Sequence, residues 1–206
     1  MNSGILTVGS VALCTIISLL AAYAIVFMSF RGKQIIMNSI ISLMAVPIVV
    51  MIVPLYILFV RIHLMSTYPG VILIYSAVCI PFSIYLLTSF FKSLPGELLE
   101  AAIIDGCSNL KVLSKVIIPL SGPPVLTLII VNALWVWNDL LIALVFLPRT
   151  DMRTLMVGLT VFKSKFNLDV PLTMAGLLIV SLPMIIIYII FQRYFIRGLI
   201  SGALKG

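Results

Sequence analysis

The sequence predicts an all-α membrane protein, a polytopic bundle of about five spanning helices. Three observations predict it. Apolar residues make up 63% of the chain and charged residues 9%, where soluble domains carry roughly 45–50% and about 25%. Mean hydropathy is +1.30. Five long stretches contain no Lys, Arg, Asp or Glu at all. A water-soluble fold of 206 residues could not cover its surface with so few charges, whereas a bilayer requires an apolar outer face.

The charge-free stretches cover residues 1–30, 34–60, 62–91, 116–138 and 170–192. A crossing needs about 20 mainly apolar residues at roughly 1.5 Å each, so every stretch suffices for one helix and none for two. Helices are expected near 4–30, 35–60, 69–91, 117–147 and 171–196. The first is too long for the core of a cleavable signal and has no basic leader. The second holds Pro47 and Pro54, the third Pro81, the fourth Pro123 and Pro124, and the fifth Pro183. Each proline removes a backbone donor and kinks its helix, which a bundle tolerates where neighbours satisfy the freed carbonyl. They read either as hinges for alternating access or as ordinary irregularity of membrane helices.

The formal charge is +7. The basic residues lie between apolar runs, without interleaved aromatics, which argues for topology control and against a nucleic-acid partner. With the N-terminus outside, the inner side holds Arg31, Lys33, Lys92, Lys111, Lys115, Arg193, Arg197 and Lys205. The outer side holds Arg61, Arg149, Arg153, Lys163 and Lys165, so the count of eight against five favours a cytoplasmic C-terminus. Cys14, Cys79 and Cys107 show no paired spacing, and the single His63 has no partners at metal-site spacing. Free thiols and a solvated or interfacial imidazole are expected, with no metal or cofactor.

Between the third and fourth spans, residues 92–111 differ from the rest. Half of the acidic residues, Glu97, Glu100 and Asp105, are here. Pro95 suits a first helical turn, early acids favour the helix dipole, Gly106 supplies a left-handed stop, and Ser108 can cap a second short helix. The prediction is helix, break, helix on the cytoplasmic face. Ala101 and Ala102 leave a smooth strip for a partner, Glu100 and Asp105 offer it charge, and Leu98, Leu99 and Ile103 anchor the helix.

These residues resemble a known signature. Glu100-Ala101-Ala102, then Gly106, then Val116, Ile118 and Pro119 are similar to the EAA motif of ATP-binding-cassette (ABC) importer permeases, with Val for Ile and Ile for Leu. The resemblance to carbohydrate-type, maltose-type members extends along essentially the whole chain, through Pro54-Leu55-Tyr56, Pro81-Phe82, Trp137-Asn138 and the Gly202–Gly206 tail. It implies a type I ABC importer permease fold lacking the usual first helix, over residues 1–206, with a coupling loop at 93–119. It also implies a bacterial or archaeal inner-membrane location, separate ABC ATPase subunits, a second permease subunit and an extracytoplasmic solute-binding protein. The coupling residues it implies are Glu97, Glu100, Ala101, Ala102, Asp105, Gly106 and Pro119, which an ATPase would grip to drive alternating access for sugar import. The chain has no G-x-x-x-x-G-K-[ST] phosphate loop and no catalytic constellation, so it is read as a transport subunit and not an enzyme.

Asn132, Trp135 and Asp139 fall on one helical face at i, i+3, i+7. They read as part of a translocation path or, alternatively, as an interfacial aromatic belt ending in a solvated acid. The basic tail anchors the cytoplasmic end, and by resemblance Leu204, Lys205 and Gly206 touch the ATPase. Residues 148–171 form either a docking surface for the binding protein or a plain connection. A non-sugar cargo within the same machinery, or a self-contained secondary transporter, are the competing expectations; the latter wants midplane ionisable residues or an internal repeat.

Overall fold

The computed structural model describes residues 1–160 and 170–203, with side chains through residue 192. The described residues are helical throughout their regular structure. In order come α1 (Asn2–Phe27), α2 (Lys33–Leu43), α3 (Ile48–Arg61), α4 (Tyr68–Phe91), α5 (Gly96–Ile104) and α6 (Asn109–Val112). A π-helical segment (Leu113–Ile117) leads to α7 (Ile118–Leu120), α8 (Gly122–Asn138), α9 (Leu141–Phe146), a 3₁₀ turn (Thr150–Met152), α10 (Leu155–Leu159) and α11 (Val170–Ala203). Among the described residues, α1, α4 and α11 are each long and apolar enough to cross a membrane, and two interrupted pairs raise the number to five.

Both interruptions correct the expected continuous helices. The 35–60 helix is two, α2 and α3, separated at 44–47. Pro47 sits at the N-cap of α3 with ψ 130°, and a proline disfavours helical backbone in the residue before it. The helix expected at 117–147 is also divided. Asn109–Leu120 and Gly122–Asn138 are bent by 81° at Ser121, and α9 restarts after Asp139 and Leu140. Pro123 and Pro124 therefore lie in the first turn of α8, where a missing N–H breaks no helical bond. Pro54, Pro81 and Pro183 stand in the interior of helices.

The described chain forms two compact units. One draws on Met1–Leu13, Val46–Val78 and Ile130–Phe191, the other on Cys14–Ala45, Cys79–Ile129 and the chain from Gln192. In the first unit Tyr75, Phe146, Leu147 and Ile142 are fully buried, and Phe59 meets Phe146 edge-on at 5.6 Å. The start of α1 packs along the start of α4, with Ser76 Oγ donating to the Ser10 carbonyl at 3.1 Å. Over Val170–Gln192, most of the apolar surface of α11 is exposed.

In the second unit the ends of α1 and α4 enclose Leu19, Ala22, Tyr23, Leu87 and Phe91. Phe27 stacks on Phe91 at 5.9 Å. Here α1 ends where Lys33 Nζ donates to the carbonyls of Val26 and Met28, at 3.1 and 3.3 Å. Gly32, with φ +87°, then turns the chain directly into α2.

Candidate functional site

The segment at 93–119 lies wholly in the second unit. α5 begins after Pro95, whose ψ of 129° makes it the N-cap; the first helical residue is Gly96. Pro95 was expected one position further in. Glu97 stands in the first turn, where a carboxylate meets the positive end of the helix dipole.

The end of α5 shows why the glycine falls four residues after the second alanine. Gly106 has φ +74°. Its N–H donates to Ile103 O at 2.9 Å, and the next N–H, of Cys107, donates to Ala102 O at 3.0 Å. This pair of crossed bonds is a Schellman stop, and it requires a left-handed residue at that position. Cys107 and Ala102 also pack into the same apolar cluster, the contact that accompanies such stops.

The two alanines face different ways. Ala101 is exposed, whereas Ala102 is 8% exposed and sits against Phe91, Val112, Leu113 and Ile117. The expected smooth strip thus splits, and Ala102 is small because its own chain surrounds it. Of the expected anchors only Leu99 packs inward. Leu98 and Ile103, which flank the inward face at its two edges, are exposed, and Ile104, turned away from Ala102 and Leu99, is 84% exposed. The side with Ile104 also bears Glu97 and Glu100, Asp105 is exposed past the helix end, and none of these three carboxylates is in an ion pair among the described residues. The exposed surface of α5 thus carries both apolar side chains and carboxylates.

Ser108 occupies the N-cap of α6 with ψ 157°, but its hydroxyl makes no capping bond. Tyr23 OH, on α1, donates to Asn109 Oδ1 at 3.5 Å and ties α6 to a spanning helix. The π-helical turn precedes Pro119, with Ile118 N–H donating to Leu113 O; widening the coil relieves the clash between a proline ring and the preceding turn. Ser121, fully buried, donates from both N–H and Oγ to Ile117 O, at 2.9 and 2.6 Å. Composition offered no signal for Tyr23 or Ser121.

Asn132, Trp135 and Asp139 belong to the first unit. Asn132 is 3% exposed and Trp135 37%. Asp139 lies just past the end of α8, half-buried, and its Oδ2 accepts from Tyr75 OH at 2.9 Å and from the N–H groups of Ile142 and Ala143 at 2.9 and 3.2 Å. It therefore caps α9, which corrects the picture of a solvated end. Tyr75 also meets Trp135 edge-on at 6.0 Å, so it joins two of the three expected residues. Sequence reasoning missed Tyr75 because it lies 64 positions from Asp139. Trp137 Nε1–H donates to Val180 O at 2.9 Å, one turn before Pro183.

After α9, Asn2 Nδ2 donates to the carbonyls of Asp151 and Arg153 at 2.8 and 3.0 Å. Arg149 pairs with Asp151 at 2.9 Å. Lys163 and Lys165 lie outside the described residues, as do Leu204, Lys205 and Gly206, and the side chains of Arg193 and Arg197.

Several helices long and apolar enough to cross a membrane, with a short acidic helix between two of them, make up a multi-pass membrane protein. Residues 15–201 match the model of the binding-protein-dependent transport system inner membrane component, and the chain belongs to that family. It is 35% identical over 205 residues to the sulfoquinovosyl glycerol transport system permease protein SmoH of Agrobacterium fabrum, covering all of this chain and 72% of that one. It is 32% identical over 209 residues to the trehalose/maltose transport system permease protein MalG of Thermococcus litoralis, covering all of this chain and 75% of the relative. A crystal structure of a bacterial ABC transporter involved in the import of the acidic polysaccharide alginate matches with a TM-score of 0.79 at 27% identity, over 94% of this chain and 73% of that one. The chain is an ABC importer permease subunit and a multi-pass inner-membrane protein, working with an ATPase and a solute-binding protein.

Proposed function

We propose that this subunit imports a sugar-type solute, and that α5 is the lever through which ATP-driven closure of the ATPase moves the spanning helices between inward-facing and outward-facing states. The observation that carries the reading is the exposed surface of α5: Leu98, Ile103 and Ile104 stand out from the helix beside Glu97, Glu100 and Asp105, which make no ion pair among the described residues. An exposed apolar patch rimmed by charge marks a protein contact. Its rear side is fixed through Ala102, Leu99 and the Gly106 stop, so a push on the outer side is transmitted to Phe91 and Ile117, not lost in loop motion. In this reading Glu97, Glu100, Ala101, Asp105 and Gly106 act at the contact, Ala102 and Pro119 hold the lever's shape, and the loop and C-terminus are cytoplasmic.

A second permease subunit completes the pathway, and Asn132, Trp135 and Asp139 contribute to its outer part. Sugar as cargo is supported by the relatives whose names specify sulfoquinovosyl glycerol and trehalose/maltose. In Glu100→Lys, reconstituted with its ATPase and binding protein, ATPase recruitment or the coupling of hydrolysis to uptake should fall about tenfold or more, since a like-signed clash at a matched surface costs several kcal/mol. Membrane insertion should be normal. Uptake equal to wild type would remove the lever role of this side chain.

A further inference from the structure

Lipid is a poor neighbour for one face of α2. Among the described residues this helix packs inward through Met37 and Ile40, against Ile25 and Ile84. At about 100° per residue, Gln34, Asn38 and Ser42 form a row along one edge and Ser39 lies on the averted side. All four are exposed. Gln34 Nε2 donates to Asn38 Oδ1 at 3.0 Å, and Ser42 Oγ donates to Asn38 O at 2.9 Å. Among the described residues, the Asn38 amide N–H groups, the Gln34 carbonyl oxygen and the Ser39 hydroxyl have no partner. Hydrocarbon cannot supply one, and the penalty for leaving such groups dry is heavy.

The row is also uncharged. Lys33, the nearest cation along the helix, is turned back onto the carbonyls at the end of α1. Close helix packing in membranes relies on small residues at the contact. Here Gln34, Asn38 and the 73%-exposed Ile35 project from the same side and hold a second helix off. Neutral donors and acceptors spread over about 12 Å suit water and a hydroxyl-rich, uncharged solute.

We infer that the Gln34–Asn38–Ser42 edge of α2 lines a water-filled part of the translocation path, where Gln34 and Asn38 exchange hydrogen bonds with the hydroxyls of the passing solute. The inference rests on the sugar-permease reading above and adds the residues that meet the cargo. It is tested in the assembled transporter, with Cys14, Cys79 and Cys107 replaced by alanine and single cysteines placed as Asn38→Cys, Ser42→Cys, Ile36→Cys and Leu43→Cys. A charged, membrane-impermeant methanethiosulfonate should modify positions 38 and 42 at least about tenfold faster than 36 and 43, because the reactive thiolate requires water. Trehalose should slow modification at position 38. Equal, slow rates at all four positions would place the row in lipid and overturn the inference. So would disulfide capture of Asn38→Cys by the second permease subunit.

Modification of position 38 that trehalose does not slow, in a transporter that takes up trehalose, overturns the solute contact. Absence of trehalose uptake by the unmodified transporter sinks the cargo reading instead, while the four-position comparison, which uses no solute, still decides the face. As a second variant, Asn38→Leu should lower uptake severalfold and Asn38→Gln should restore most of it; wild-type uptake in Asn38→Leu counts against the inference.

Discussion

Gly106 and Asp139 each have a conformational duty that substitution can separate from chemistry. A Cβ at position 106 would meet nothing within 4 Å, so the cost of a side chain there is purely that of the left-handed backbone. Gly106→Val should therefore lose roughly 1–2 kcal/mol at the stop, with Gly106→Asn milder because Asn tolerates this region. Thermal unfolding of the assembled complex, read beside uptake per ATP, tests it; an unchanged Gly106→Val would show that the stop is dispensable. For Asp139, alanine leaves the N–H groups of Ile142 and Ala143 uncapped and should cost about 1 kcal/mol. Asparagine keeps an acceptor oxygen, so Asp139→Asn should retain stability, and a loss of uptake in that variant alone would assign the charge a role in transport. Hydrogen bonding from Arg149 holds the Asp151 carboxyl below its usual range. A carboxyl so depressed contributes above its ordinary titration range and loses that contribution as pH falls through its folded value. Both side chains are exposed, so screening leaves the pair little to give, and Asp151→Asn should melt like wild type from neutral pH downward.

Elements were legible where local chemistry decides them. The five apolar stretches, the helix between Pro95 and Gly106 and the start of α6 after Ser108 all follow from charge, proline and glycine positions. The breaks were not. Pro47, Pro123 and Pro124 looked like internal kinks, yet each sits where a new helix begins. Hydropathy records only that a stretch is apolar, and a stretch remains apolar whether its helix is whole or divided. The inward turn of Ala102 was likewise hidden, because it depends on Phe91 and Leu113 arriving from other elements. Proline substitution separates the two kinds of site. Pro123→Ala and Pro124→Ala should change stability by no more than about 0.5 kcal/mol, since neither proline displaces a helical bond. In Pro183→Ala the restored N–H can reclaim its helical partner, and α11 should straighten beside the Trp137 to Val180 bond. Distances between spin labels on either side of residue 183 would report it.

At the scale of the molecule, the native thiols report both burial and side. Cys14 and Cys79 are buried, and Cys107 is half-buried at the end of α5. An impermeant maleimide applied to the cytoplasmic face of the isolated subunit should label Cys107 alone, and bound ATPase should protect it. Labelling from the outer face would reverse the proposed orientation. What the sequence left open at this scale is what covers the exposed surface of α5, because in the proposed reading that neighbour is encoded on another polypeptide.

The adjacent alanines of α5, one exposed and one buried, carry a genetic consequence. Enlarging Ala102 crowds this polypeptide's own interior, so spontaneous revertants should trim Phe91 or Leu113 within the same gene. Enlarging Ala101 crowds only what lies outside, and its compensating changes should arise in the ATPase gene. Two adjacent codons would thus answer to two different loci.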